Sequence, residues 1–256
     1  MSYVNKLIQK LQENPLSIDE FNKLISKYDT FFSSVDLEKE LIISNGLPLY
    51  FSSNKVYLKT NNTFLKDQVF CIVDIETTAG NAKDGQIIEI GAIKYKNGKI
   101  LETYESLVTS NNIPKVVQEI TKITPVMLID APNLKDVLEE FKIFLEDDVF
   151  VAHNIGFDYK FISDSFKENN LGELFNRKLC TIDLATKTIN ATRYGLKYLK
   201  DELNIDVKEH HRAYSDALST MYVLQIALNN LPNKIKYTEE LLDFASRKIK
   251  NGKKQI

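Results

Sequence analysis

The sequence has few cysteines, no long apolar run and no excess of basic residues, and each absence excludes a class of protein. Its two cysteines, Cys71 and Cys180, belong to no metal-like cysteine cluster, so we expect reduced thiols in a cytoplasmic protein. No apolar stretch approaches membrane-spanning length. The first residues lack the charged segment and the apolar segment of a signal peptide. The formal net charge of −2 excludes a generally basic nucleic-acid binder, so any such contact must use a local patch or metal ions.

Composition is that of an ordinary globular protein, with 43% hydrophobic and 27% charged residues among 256. The pattern of helices and strands changes near residue 66 and again after residue 232. We therefore predict a small helical module over residues 1–65, an α/β domain over 66–232, and a helical, basic tail over 233–256. In the tail, Leu242, Ala245 and Ile249 share one predicted helix face.

The first 65 residues predict three helices followed by a β-hairpin, which is the order of a winged-helix module. Such modules can bind DNA, but acidic Asp36, Glu38 and Glu40 lie on the third predicted helix and would repel phosphate. We therefore favour a protein-docking or packing role. Residues 46–51 have the leucine and aromatic spacing of peptides that dock on bacterial sliding clamps, although a strand with alternating core residues explains the same pattern.

The α/β region opens with an apolar strand, residues 69–76, that ends in Asp74 and Glu76. Side chains alternate along a strand, so these two carboxylates point the same way. Two further strands are predicted over residues 86–95 and 99–108, joined by an Asn-Gly turn. Two carboxylates on one strand face must be solvated, paired with cations or bound to a metal ion.

Polar side chains also follow a second buried strand, residues 149–152. They are His153, Asn154 and, after Phe157, Asp158. The end of a buried strand is the usual place for a site in α/β folds. A last strand over residues 179–182 and helices near 183–189 and 195–203 complete the predicted core.

The last long helix of the α/β region is predicted from near His211 to residue 229, with Asp216 in its first turn. Its predicted buried side chains are those of Leu218, Met221, Tyr222 and Leu228.

Together these segments resemble the three motifs of the DnaQ-like 3′–5′ exonucleases. The first motif is residues 73–78, followed by a second strand at 86–93; the second is 151–158; the third is 211–216, in which His211 precedes Asp216 by five positions, as in the histidine subgroup known as DEDDh. The match covers about residues 68–231. It implies a ribonuclease H-like fold, a mixed five-stranded sheet flanked by helices.

The resemblance also implies the chemistry. Two Mg²⁺ or Mn²⁺ ions would be held by Asp74, Glu76, Asp158 and Asp216, and His211 would accept the proton of the attacking water. Oxygen ligands suit these hard cations, and an imidazole suits proton transfer near neutral pH. The residues implied to contact the terminal nucleotide are Thr77, Thr78, His153, Asn154 and Phe157. For His153 and Asn154 a structural role is equally compatible with the sequence.

Within the family, residues 123–127 and 210–213 resemble the proofreading branch of bacterial replication, which implies DNA 3′ ends as substrate and the alpha subunit of DNA polymerase III as partner. One departure is Ala79, where the family usually has glycine, and another is the additional N-terminal module. Three readings remain: a proofreading exonuclease, a free-standing DNA-repair or RNA-trimming exonuclease, and a non-catalytic adaptor.

Overall fold

The structure, a computed structural model, describes residues 3–26, 34–207 and 211–247. Its N-terminal unit consists, among these residues, of three helices around a small antiparallel sheet. In chain order the elements are α1 (Tyr3–Glu13), β1 (Leu16–Ser17), α2 (Ile18–Ile25), α3 (Val35–Ser44), β2 (Leu49–Ser52) and β3 (Lys55–Leu58). The strands lie in the order β1-β3-β2. The predicted helices and hairpin are therefore present, and β1 adds a third strand to the hairpin.

Local signals in the sequence account for these elements. Ser17 caps α2 through a reciprocal pair of hydrogen bonds with Glu20, which satisfies N–H groups that the first turn leaves free. Leu47 is fully buried and Leu49 is 6% exposed, and both pack in the core of the unit. Residues 46–51 therefore form the beginning of a strand with core side chains and the segment that leads into it, which confirms the strand interpretation. They are not an unstructured peptide that could dock on a sliding clamp.

The α/β region follows directly. Its elements are α4 (Lys59–Asn62), β4 (Phe70–Thr77), β5 (Ile87–Lys96), β6 (Lys99–Leu107), α5 (Lys115–Thr121), a 3-10 turn (Pro125–Leu128), α6 (Leu134–Leu145), β7 (Val149–Ala152), α7 (Asp158–Glu168), β8 (Lys178–Cys180), α8 (Thr181–Thr188), α9 (Leu196–Glu202), α10 (Ala213–Asn229) and α11 (Thr238–Ser246).

Five of these strands form one mixed sheet in the order β6-β5-β4-β7-β8. β4 is central, antiparallel to β5 and parallel to β7, and β7 is parallel to β8. The prediction of a mixed five-stranded sheet flanked by helices is confirmed. Because parallel strands share an edge, the ends of β4 and β7 lie side by side, and the motifs that follow them are neighbours.

Each face of the sheet is covered by helices, which explains why β4 is apolar almost throughout. Ile72 packs with Leu224 of α10 and Leu241 of α11 on one face. Cys71 and Val73 pack with Phe141 of α6 on the other face. Asp74 and Glu76 continue the row of Ile72, so strand alternation directs them to the α10 side.

Helix α10 differs from its predicted orientation. Met221 is buried as predicted, but Tyr222 is 39% exposed, and Leu218 and Leu228 are only partly buried. The buried face combines large side chains, such as Val223 and Leu224, with small ones, such as Ala213 and Ala217. The small side chains of the first turns let α10 lie close to the sheet.

The buried carboxylate of Glu239, in α11, is one of the places where the N-terminal unit and α11 contact the α/β core. Its oxygens accept hydrogen bonds from Arg177 Nε and Nη2 at 2.7 Å each, from Thr60 Oγ1 at 2.6 Å and from Gln12 Nε2 at 2.8 Å. The Arg177 interactions hold the pKa of Glu239 below its ordinary value, in spite of burial. Segments far apart in the chain are thereby joined at one point.

Helix α11 confirms a helix in the predicted tail, and Leu242 and Ala245 are buried in the core as expected for its apolar face. Ile249 and the basic residues Lys248, Lys250, Lys253 and Lys254 lie outside the described residues. In the part of the chain that the structure describes, no helix has the length and apolarity needed to cross a membrane.

Candidate active site

Asp74 and Glu76 lie at the end of the central strand, as predicted. Asp74 is paired across the ladder with Gly91 of β5, and Glu76 is paired with Glu89. The register shifts directly after Glu76, an irregularity of the kind that often re-aims side chains beside active sites. Three carboxylates of two neighbouring strands therefore converge here.

Gly91 explains how a helix reaches these carboxylates. A Cβ atom at this position would lie 2.2 Å from the backbone nitrogen of Tyr214 and 2.3 Å from the carbonyl carbon of Ala213. Only glycine leaves room for this contact. The first turn of α10, which carries Asp216, is consequently seated on β5 directly opposite Asp74.

The third motif forms the rim of the site. His211 has a left-handed backbone, with φ of 56°, and its backbone N–H donates to Asp216 Oδ2 at 3.1 Å. One potential ligand atom from each of Glu76, His211 and Asp216 lies within 4.8 Å of the other two. The predicted proton acceptor and two predicted metal ligands are thus brought together, whereas His210 lies outside the described residues.

Asp158 joins from the second motif as the first residue of α7, and it is 4% exposed. Burial raises its pKa to about 7, although backbone N–H groups of Asp158 itself and of Ile75 favour the charged form. The hydrogen bond from Ile75 places this carboxylate beside the end of β4. All four predicted acids are therefore drawn to one place.

The acids repel one another strongly. Burial and then the charges of Asp158 and Asp216 hold the pKa of Asp74 well above its ordinary range. Burial, followed by Asp216, Glu89 and Asp158, raises the pKa of Glu76 to about 8, and Arg212 only partly opposes this. Such a set of hard oxygen donors fits a divalent cation, which would remove the repulsion. The cluster is therefore a candidate metal centre.

Thr77 and Thr78 stabilise the loop that follows β4. Thr77 Oγ1 donates to the carbonyl of Ala79 at 2.8 Å, and Thr78 Oγ1 accepts from the backbone N–H of Gln86 at 2.9 Å. Gly85 packs against this loop so closely that a Cβ atom there would lie 2.5 Å from Thr78 Oγ1. The threonine hydroxyls are thus used within the loop.

The three other residues implied to contact substrate, His153, Asn154 and Phe157, differ in burial and in their contacts. Both ring nitrogens of His153 are engaged, Nδ1 with Thr181 Oγ1 and Nε2 with the carbonyl of Tyr194, each at 2.9 Å. Burial lowers the pKa of His153 to about 4, so the ring is neutral near pH 7. These contacts favour its structural alternative. Asn154 is exposed with φ of 73°, and Phe157 is half-buried.

Phe157 lines a cavity of about 100 Å³ next to the loop after β4. Its wall is completed by Gly80, Asn81, Ala82, Gly156, Lys160, Phe161 and Asp164. The rings of Phe157 and Phe161 are 5.8 Å apart at their centroids. The cavity joins an aromatic face, which is suited to stacking on a base, to the ion pair of Lys160 with Asp164.

Sequence reasoning missed three charged residues around the acids. Glu89 is fully buried in β5 and forms an ion pair with Arg212, which precedes α10. Lys200 of α9 is buried, donates to the carbonyl of Val207 at 3.1 Å, and interacts electrostatically with Asp216. The signal available in the sequence was Glu89, a carboxylate within an otherwise apolar strand. A buried carboxylate requires a cationic partner, so its presence indicates that one lies nearby.

The comparisons with known proteins agree with this arrangement. Residues 71–224, more than half of the chain, match the RNase T family, described as exonuclease. A DNA polymerase III of PolC type from Staphylococcus aureus is 32% identical over 186 residues, which are 72% of this chain and 12% of that protein. The chain therefore spans about an eighth of the length of these relatives.

Solved structures show the same fold. Exonuclease X in complex with 5′ overhanging duplex DNA superimposes with a TM-score of 0.53 and 23% identity, over 69% of this chain and 99% of that one. The zinc-bound form of the Escherichia coli exonuclease I complex with single-stranded DNA gives 0.59 and 17%, over 69% and 42%. The sequence match decides the family: the protein belongs to the RNase T exonuclease family, and its fold is DnaQ-like and of ribonuclease H type.

Proposed function

We propose that the protein is a metal-dependent 3′–5′ exonuclease of the DEDDh group that releases nucleoside 5′-monophosphates from DNA 3′ ends and proofreads for a replicative polymerase. The observation that carries the proposal is the convergence of Glu76, His211 and Asp216, with ligand atoms within 4.8 Å, beside partly buried Asp74 and buried Asp158. An adaptor would not need four mutually repelling acids and a histidine in one place.

Asp74, Glu76, Asp158 and Asp216 would hold two Mg²⁺ or Mn²⁺ ions. When bound, such ions supply charge neutralisation for the phosphate and a nucleophilic hydroxide near neutral pH. The fit rests on the raised pKa values of Asp74, Glu76 and Asp158, because a carboxylate cluster with this much repulsion binds cations or protons.

His211 is the proposed general base. Its exposed side chain is within reach of Glu76 and Asp216 but outside the packed core, so an imidazole nitrogen can accept a proton from water and return it to solvent. The water oxygen bonds to the phosphorus and the bond from phosphorus to the 3′ oxygen breaks. That 3′ oxygen takes a proton from solvent, so the shortened strand ends in a 3′ hydroxyl. The released nucleotide carries the new 5′ phosphate.

The terminal nucleotide is proposed to lie against Phe157, with the backbone of Thr77 and Thr78 on its other side. Phe157 offers an aromatic face next to the cavity described above, and base stacking on such a face tolerates any sequence. Because the side-chain hydroxyls of Thr77 and Thr78 are engaged in the loop, their backbone groups are the ones assigned to substrate.

The polymerase role is supported by the 32% identity to the PolC-type polymerase, and the polymerase III alpha subunit is the proposed partner. One observation favours the second candidate, a free-standing DNA-repair or RNA-trimming exonuclease. The matching region is 99% of the exonuclease X chain, so in that protein the fold stands without an attached polymerase.

The test is a 3′-end degradation assay on 5′-labelled substrates. Single-stranded DNA, paired and mismatched primer–templates, and single-stranded RNA are incubated with Mn²⁺, Mg²⁺ or chelator. We expect stepwise shortening that requires metal, is faster on the mismatched than on the paired primer, and is abolished in Asp74→Asn. The matched control is Glu139→Gln, which removes an acid from the exposed face of α6 and should retain full activity.

Three results would contradict the proposal in different ways. Preference for RNA over DNA would move the role to RNA trimming. Equal rates on paired and mismatched primers, with no co-elution with the alpha subunit in gel filtration, would favour the free-standing enzyme. Absence of shortening and of metal binding, both with and without that subunit, would refute catalysis.

A further inference from the structure

Glu89 is a fully buried carboxylate beside the proposed metal ligands, and it is not one of them. It lies on β5, is 0% exposed, and is paired across the sheet with Glu76. A buried charge is tolerated only when it is paired and hydrogen-bonded. The position of Glu89, next to four other acids, makes such pairing essential.

Arg212 supplies the partner through a forked set of hydrogen bonds. Glu89 Oε1 accepts from Arg212 Nη2 at 2.6 Å and from Nε at 2.9 Å, while Oε2 accepts from Nε at 3.2 Å and from the backbone N–H of Ala213 at 2.9 Å. Both oxygens are therefore occupied by protein donors. This distinguishes Glu89 from the metal-ligating acids, although it is their neighbour.

These bonds attach the third motif to the sheet at one defined place. Arg212 lies between His211 and the first turn of α10, which begins at Ala213. His211 has a left-handed backbone and donates its N–H to Asp216, so its direction depends on the residues that follow it. Gly91 fixes the distance between α10 and β5, and Glu89 fixes how the segment is rotated on the strand.

We propose that Glu89 and Arg212 are positioning residues of the exonuclease, which hold His211 and Asp216 against Glu76 in the arrangement needed for metal binding and proton transfer. Arg212 also brings a positive charge to the acidic cluster, where it favours ionised Glu76. Neither residue contacts the reacting atoms. The inference rests on the proposed metal-dependent hydrolysis and adds the residues on which its geometry depends.

The experiment compares Glu89→Gln with Glu105→Gln in the full-length protein. Glu105 is the matched control, because it is the other carboxylate near Arg212, at 3.9 Å, and it is half-exposed. Three quantities are measured: kcat and KM on single-stranded DNA, Mn²⁺ affinity by electron paramagnetic resonance without DNA, and the unfolding midpoint by circular dichroism.

For Glu89→Gln we expect kcat to fall about 100-fold, because small displacements of reacting groups have effects of this size. Mn²⁺ affinity should fall about tenfold, as for other residues that orient metal ligands. KM for DNA should stay within about threefold, since neither residue is assigned to substrate. Glu105→Gln should match the wild type in all three quantities.

A second variant keeps the inference testable if Glu89→Gln does not fold. Arg212→Lys retains the charge but cannot form the fork, and we expect about a tenfold loss of kcat with a folded protein. A variant with lowered unfolding midpoint but wild-type kcat per folded molecule and wild-type Mn²⁺ affinity would show a merely structural pair and overturn the inference. A wild type without Mn²⁺ binding or activity would instead refute the proposed function.

Discussion

Replacement of Glu76 by glutamine should abolish activity and yet make the metal-free protein more stable at alkaline pH. Burial and the charges of Asp216, Glu89 and Asp158 raise the pKa of Glu76 from 4.5 to about 8. In the unfolded chain the same carboxyl has an ordinary pKa. Folding without metal therefore brings an acid into a place where its charge is unfavourable.

The sign of the pH effect follows from proton linkage. A carboxyl whose pKa is raised by folding contributes stability that is fully present below about pH 4.5 and is lost as the pH rises toward 8. At about 1.4 kcal/mol for each pH unit, Glu76 lowers the free energy of unfolding by about 4 kcal/mol between about pH 5 and pH 8. Glutamine does not titrate, so Glu76→Gln should be free of this loss.

The assay is urea unfolding of EDTA-treated protein at both pH values, followed by far-ultraviolet circular dichroism because the sequence has no tryptophan. We expect Glu76→Gln to be more stable than the wild type by about 4 kcal/mol near pH 8 and by less than about 1 kcal/mol near pH 5. Mn²⁺ should then stabilise the wild type much more than the variant, since it binds only the native cluster.

Glu139→Gln on the exposed face of α6 is the control for loss of a carboxylate elsewhere, and it should show no pH-dependent gain. The reasoning would be refuted if Glu76→Gln lost stability equally at both pH values. That result would mean that the acids are not held close enough to repel one another, and the candidate metal centre would lose its physical basis.

Three further changes test other parts of the structure. His211→Ala should lower kcat by about 10²- to 10⁴-fold while Mn²⁺-dependent binding of DNA, measured by fluorescence anisotropy, persists; an unchanged kcat would exclude His211 as the base. Gly91→Ala should separate α10 from the sheet, because its Cβ would lie 2.2 Å from the backbone nitrogen of Tyr214, and should lower both activity and the unfolding midpoint; wild-type behaviour would contradict the close contact. Glu239→Ala leaves Arg177 without its buried partner and should reduce the free energy of unfolding, measured by urea titration, by about 3 kcal/mol. An unchanged free energy of unfolding would contradict a stabilising ion pair at this place.

Much of the sheet and of the site could be predicted because the signals are local. Asp74 and Glu76 end an apolar strand, and alternation alone places them on one face. The mixed five-stranded sheet and the convergence of the acids needed the family resemblance, since spacing along the chain does not reveal which strands are neighbours. The structure confirmed that sheet.

What could not be predicted depended on contacts between distant segments. Tyr222 was wrongly predicted to be buried, because the periodicity of large apolar residues gives no weight to the small side chains by which α10 approaches Gly91. Glu89 could be recognised as unusual in an apolar strand, but its partner Arg212 lies 123 positions away. The docking role of the N-terminal module remains a prediction.

The hydrogen bonds of Glu239 have a consequence for how the chain folds during synthesis. Gln12 and Thr60 are translated long before Glu239, at sequence separations of 227 and 179 positions. Loop closure of this length is slow compared with local helix formation. During synthesis the donors Gln12 and Thr60 therefore precede their acceptor, and these two hydrogen bonds can form only after α11 has been translated.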